Sequence, residues 1–257
     1  MRCAAVIGAG LLLTVGLTNS ASAADLAAAP YMKAPAIVDP AYNWSGFYVG
    51  IEGGGVWGRS QHYYNDPAGP ALIGLPVTSG INADGGLVGG TFGYNYQAGN
   101  VVVGFETDVS WMNNKGTAGY IAPFAPLTNT AQASQDWLYT ARGRLGFAWN
   151  RWMIFGTGGV AFTDEGMQLC NVAFGCGSQS KTVTGWTAGI GVEYAFASNW
   201  SAKLEYLHND FGSQYFARTL DSGGGEFHAH NVTLTNDIVR AGVNYKFGWG
   251  GPVVAKY

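Results

Sequence analysis

The residues best equipped for chemistry are few. His208, Asp210 and Ser213 fall within the hexapeptide HNDFGS, and a histidine, a carboxylate and a hydroxyl are the parts of a hydrolytic centre. In an extended segment His208 and Asp210 share a face, yet alternation fixes no hydrogen bond between them and no motif marks Ser213 as a nucleophile. His228-Ala229-His230 places two imidazoles on one face, a beginning of metal or haem ligation; with His62 and His208 these are all four histidines. Cys170 and Cys176, in CNVAFGC, have no histidine nearby and supply only half a zinc ligand set.

The start of the chain fixes the compartment. Met1-Arg2 is a short positive region, Cys3 to Leu17 is apolar, and Asn19 to Ala24 carries small residues at Ala21 and Ala23, the pattern that signal peptidase cuts. Residues 1–23 therefore read as a signal peptide that takes Cys3 with it. In the exported remainder, Cys170 and Cys176 read as a disulfide. Residues 24–43 follow as a periplasmic linker broken by Pro30, Pro35 and Pro40.

Beyond the linker the chain is poor in charge. Charged residues make up 11% and aromatics 14%, with 40 glycines; a soluble domain carries roughly 25% charge. A net charge of −3 excludes a global basic field for nucleic acid. No run of about 18 apolar residues exists, so no helix spans a bilayer. Instead, period-two alternation marks eight segments: Trp44–Gly58, Asp84–Gln97, Val101–Asn113, Asp136–Trp149, Trp152–Asp164, Thr182–Ala197, Trp200–Phe211 and Thr235–Gly248. Each is long enough for a tilted strand to cross a membrane. Their links alternate strictly between tight turns (at Ala98-Gly99-Asn100, Asn150-Arg151 and Ser198-Asn199) and long connections (Arg59–Ala83, Asn114–Gln135, Glu165–Lys181 and Gly212–Leu234). Outer-membrane barrels keep their short turns in the periplasm, which puts both termini there.

The minority phase decides which face looks outward. In the last segment Val239, Ala241, Val243, Tyr245 and Phe247 oppose Arg240, Gly242, Asn244 and Lys246. Across the segments the polar phase gathers Glu52, Glu106, Asp108, Glu193 and Glu205 with Arg142, Arg144, Lys203, Arg240 and Lys246, mostly among Gly, Ala, Ser, Thr and Asn. Balanced charge set among small residues suits a narrow lumen closed by salt bridges; the aromatic phase then faces lipid. The nine tryptophans sort into two rings: Trp57, Trp111, Trp137 and Trp186 at the long-connection end, and Trp44, Trp149, Trp152, Trp200 and Trp249 at the short-turn end. Two rings are the aromatic girdles of a membrane barrel. The fold expected is all-β, an eight-stranded antiparallel up-and-down transmembrane β-barrel over residues 44–248, with a tail at 249–257.

Three stretches carry a resemblance: the Ala24-Asp25-Leu26 start with its proline-rich linker, Asn43-Trp44-Ser45-Gly46-Phe47-Tyr48-Val49-Gly50, and the close from Val239 to Phe247. They resemble the small outer-membrane β-barrel proteins of alphaproteobacteria, the surface antigens labelled "porin family" or outer-membrane immunogenic proteins. The closing strand also looks like a barrel-assembly signal, with Arg240, Gly242, Tyr245 and Phe247 in register, although ten residues follow Phe247. The resemblance implies an OmpA-like barrel in the cell outer membrane, with an envelope-structural and surface-display role. It implies no catalytic residues, no cofactor and no metal. The expected partners are outer-membrane lipid, lipopolysaccharide and the barrel-assembly machinery. A narrow channel for small solutes and haem or metal binding at the loops are the rival roles.

Overall fold

A computed structural model describes residues 42–123, 129–171, 175–217, 219–220, 226–227 and 229–248. The segment read as signal peptide, most of the one read as linker, the tail with Trp249, and His228 lie outside the described residues.

Eight long strands close into one antiparallel barrel: β1 (Gly46–Tyr64), β2 (Ile81–Ala98), β3 (Val101–Gly119), β4 (Thr130–Trp149), β5 (Trp152–Asn171), β6 (Gly175–Ala195), β7 (Trp200–Phe216) and β10 (His230–Lys246). Between β7 and β10 the short strands β8 (Thr219–Leu220) and β9 (Glu226–Phe227) pair with each other. Every long strand hydrogen-bonds its sequence neighbour in the barrel, and β1 pairs with β10 from Tyr48↔Lys246 to Tyr64↔His230. Closure leaves no edge in the membrane, where an unpaired backbone amide has no water to turn to. The tight turns fall where residues tolerate a positive φ, at Gly99 (61°) and Asn150 (53°).

The apolar phase faces out. Ile51 is 73% exposed, Trp111 65% and Val88 62%, while Glu106 and Arg240 on the opposite phase are at most 1% exposed. Only lipid makes such an exterior stable. Trp57, Trp111, Trp137 and Trp186 lie on this outer wall at the long-connection end, and Trp149, Trp152 and Trp200 on it at the other.

Three expectations need correction. Trp44 is not in a girdle. It precedes β1, its backbone N–H donates to Gln97 Oε1 (2.7 Å), and its buried indole packs inside the short-turn mouth beside Val102, Met153 and Phe155. The strands also run well past the eight segments, to 17–21 residues each, into stretches read as loops. Alternation continues there, but polar side chains now face outward because water replaces lipid, and the apolar-out signal that marks a membrane strand ends. Finally, the lumen is not lined only by small and charged residues. Val56, Leu87, Met112, Leu138, Leu207, Phe211 and Ile238 form one buried apolar cluster within it, and Ile81, Met167, Leu169, Phe216 and Val232 a second, further toward the long-connection end.

Glycines make room for these fillings. A Cβ on Gly191 would lie 2.4 Å from Cζ of Phe155, the ring that fills the short-turn mouth. Replacing Gly191 by Ala is therefore expected to lower stability by about 1–3 kcal/mol through overpacking, read as an earlier urea midpoint in detergent; an unshifted midpoint would show that Phe155 has room to move.

Candidate functional site: the charged lumen and the chamber above it

Inward alternation on six strands aims nine ionisable side chains at the barrel axis. Arg142 on β4 is one hub. Its guanidinium donates to Glu106 Oε1 (2.6 Å), Asp108 Oδ2 (2.8 Å) and Glu205 Oε1 (2.6 Å), with Nε on Thr140 Oγ1 (2.9 Å). Arg240 on β10 is the other. It bonds Asp108 Oδ1 (2.9 Å) and Glu205 Oε2 (2.8 Å) and meets Glu52 of β1 across the seam. Lys203 sits 3.0 Å from Glu106 and 3.3 Å from Glu52. Arg144 pairs with Glu193, and its guanidinium stacks 3.8 Å over the Phe155 ring. Further hydrogen bonds come from Tyr48 Oη to Glu106 (2.7 Å), Thr140 Oγ1 to Asp108 (2.6 Å) and Asn244 Nδ2 to Glu193 (2.9 Å).

The structure thus brings together Glu52, Glu106, Asp108, Arg142, Arg144, Glu193, Lys203, Glu205 and Arg240, all buried. It separates Lys246, whose ammonium lies at the short-turn mouth on the Asn43 carbonyl, 4.1 Å from the centre of the Tyr42 ring. At the end of the last strand the side chain reaches past the mouth instead of down the axis. Of the four residues read as an assembly signal, Arg240 is fully buried in the lumen and Gly242 faces Glu52, while Phe247 is 41% exposed beside Tyr245.

The other sequence candidates scatter. His208 Nδ1 pairs with Asp237 Oδ1 (2.8 Å) on the outer wall, where Tyr206 Oη donates to the same oxygen (2.6 Å) and Trp186 lies against the imidazole. Asp210 instead accepts the Gly212 backbone N–H (2.8 Å) within β7. Asp237 was missing from the sequence reading because its partner lies on another strand, directly opposite in register. His230 is buried in the lumen beside the Tyr64 ring. Among the described residues no group of three His, Cys, Asp or Glu side chains could hold a metal. Cys170 and Cys176 are cross-strand partners joined by a disulfide at the tip of the β5–β6 hairpin.

Sequence reasoning missed a buried polar chamber above the outer tryptophans. Ser60 Oγ lies 3.0 Å from His62 Nε2 and 3.5 Å from Glu165 Oε1, and all three residues are at most 1% exposed. The signal was present: Ser60 and His62 keep the inward phase of Glu52. Burial pushes the Glu165 carboxyl up to about 8, with Asp164 adding to it, and burial beside His230 pushes His62 down to about 3. Both groups are neutral in the fold near pH 7.

A family model described as "Outer membrane protein beta-barrel domain" matches residues 9–247. The chain belongs to that family. Its relatives include the 31 kDa outer-membrane immunogenic protein of Brucella melitensis biotype 1, 36% identical over 89% of this chain and 94% of the relative. Another is the 22 kDa outer membrane protein of Rhizobium leguminosarum bv. viciae, 29% identical over 82% and 81%. Among solved structures, the outer membrane protease OmpT of Escherichia coli superposes with a TM-score of 0.54 at 10% identity, over 80% of this chain and 98% of that one, a likeness of fold alone. The family member described here is an outer-membrane protein, so the lumen residues are the interior of a membrane-embedded barrel.

Two outcomes test these sites. Replacing Arg240 by Met strands Glu52, Asp108 and Glu205 without their shared cation, and is expected to destabilise the barrel by about 3–5 kcal/mol in detergent unfolding; a native midpoint would show that water reaches the layer. Glu165 binds its proton more tightly folded than unfolded, so its contribution is complete below about 4.5 and is lost as pH rises from there to about 8. His62 acts oppositely, its contribution complete above 6.5 and lost as pH falls from there toward about 3. Glu165→Gln should therefore gain stability over the native chain at pH 8, on the order of a few kcal/mol, with the gain vanishing near pH 4.5. Parallel stability profiles of the two proteins would contradict the burial of a carboxyl there.

Proposed function

We propose that the chain is a non-enzymatic, non-conducting scaffold of the outer membrane that braces the envelope and displays the long connections on its outer side. The observation that carries this reading is the filling of the lumen. Trp44, Val102, Met153 and Phe155 fill the short-turn mouth, the ion network lies above them, and two apolar clusters follow. An ion following the axis would meet apolar constrictions on both sides of a fully paired charge layer. Eight strands give an interior that side chains can fill, and here they do.

The outer wall supports lipid and lipopolysaccharide as partners, through its apolar belt and tryptophans. Arg240, Gly242, Tyr245 and Phe247 stand as the signal that the assembly machinery reads. A hydrolytic role has little to stand on: His208 has a carboxylate in Asp237, but Asp210 accepts the Gly212 backbone N–H within β7 and not a bond from that histidine.

Refolded protein in a planar lipid bilayer is expected to give no discrete conductance steps above the protein-free background. Sustained steps at moderate voltage would overturn the scaffold reading and mean that the apolar clusters part.

A further inference from the structure

On the outside of the barrel, just beyond the tryptophan girdle, lies a groove of about 390 Å³ crossing β3 to β6. This is within the roughly 300–1,000 Å³ of small-molecule sites. Its walls are the outward side chains of Lys115, Gln132, Gln168, Ser178 and Ser180, with Ser134 and Gly166 between them, and Met167 and Gln179, register partners on the inward phase, lie beneath it. Among the described residues none of those five outward side chains is engaged in a hydrogen bond or ion pair.

The sheet is shaped to make the groove. Both ladders flanking β4 lose register beside it, between Trp111 and Asn114 on β3 and between Ser134 and Leu138 on β4. The irregularity is held by Asp164, whose Oδ1 accepts the backbone N–H groups of Asp136 (3.0 Å) and Trp137 (3.1 Å). Gly166 leaves room for Ser134, since a Cβ there would come 2.5 Å from Ser134 Oγ. Bulges that re-aim side chains in this way accompany binding sites.

The lining selects the ligand's chemistry. One cation, Lys115, and one carboxylate, Asp136, offset each other, which leaves no field for a polyanion. No aromatic or apolar wall offers a seat for an acyl chain or a hydrophobic anchor. Amides and hydroxyls that can each donate and accept match a neutral ligand dense in hydroxyl groups. Height adds a further constraint. The groove begins next to Trp137 and four residues past Trp111, and reaches Ser180 and Ser178, six to eight residues past Trp186, or roughly 20–26 Å along the tilted strand. That is where the sugars of an outer-leaflet glycolipid stand. We propose that this groove is a saccharide-binding site, occupied by the sugar portion of a glycolipid of the same leaflet or by a soluble oligosaccharide of the same composition.

The test uses the full mature chain refolded in detergent micelles, titrated in parallel with purified rough-form lipopolysaccharide and with the soluble core oligosaccharide released from it. Binding is read from the NMR side-chain amide signals of Gln132 and Gln168. The expected result is a saturable shift of those amides, with affinity at least tenfold weaker in the Gln168→Ala, Ser178→Ala double variant. A shift with both probes assigns the site to the sugar itself; a shift with lipopolysaccharide alone assigns it to the membrane's own lipid. Heat-modifiable gel mobility checks that the variant is folded. Should it not fold, Ser180→Trp, on the exposed face of β6, fills the groove from its rim and is expected to abolish the shifts. No amide shift with either probe, or equal affinity in a folded variant, would overturn the proposal.

Discussion

The rest of the barrel depends on four cations and five carboxylates held dry on its axis. Lipid forces the backbone to close on itself, but closure alone sets neither the radius nor the register. The ion network does both. Arg142 reaches carboxylates on β3 and β7, Arg240 reaches β1, β3 and β7, and Lys203 reaches β1 and β3. A one-residue slip of any of these strands would turn its charges into lipid. Register is thus enforced by the large difference between a charge paired in the lumen and a charge among acyl chains.

Around that layer the lumen is packed as a protein core, which is unusual only in its surroundings. The apolar clusters on either side keep water from the ion pairs and so strengthen them. The glycines on the neighbouring inward positions allow Phe155 and Tyr48 to lie across the axis; Cβ atoms at Gly191 and Gly93 would meet those rings at about 2.4 Å. Interior and exterior are both apolar at many heights, and what distinguishes them is packing: the lumen is filled by neighbouring side chains, the wall by lipid.

Much of this was legible in the sequence. Period-two alternation with most charges on one phase gave the strand count, the direction of each face and all nine members of the network, together with Lys246, which is not one of them. Lys246 could not be separated from its neighbours, because phase says which wall a side chain leaves but not how far along the axis a long one reaches. Trp44 was misplaced for a related reason: it stands before the first strand, where no phase applies. The strand extensions, and with them Ser60, His62 and Glu165, were hidden because the apolar-out signal belongs to lipid and ends where the membrane does. The His208–Asp237 pair and the groove over β3 to β6 depend on cross-strand register and on bulges, which one chain read alone does not disclose.

The seam between β1 and β10 joins the first strand made to the last. Glu52 and Arg240 meet across it, so until the end of the chain arrives Glu52 has only Lys203 of β7 as a cation. Until then the growing sheet carries a carboxylate that lipid will not accept. A chain cut short before β10 would therefore carry both an open sheet edge and a luminal carboxylate short of its guanidinium.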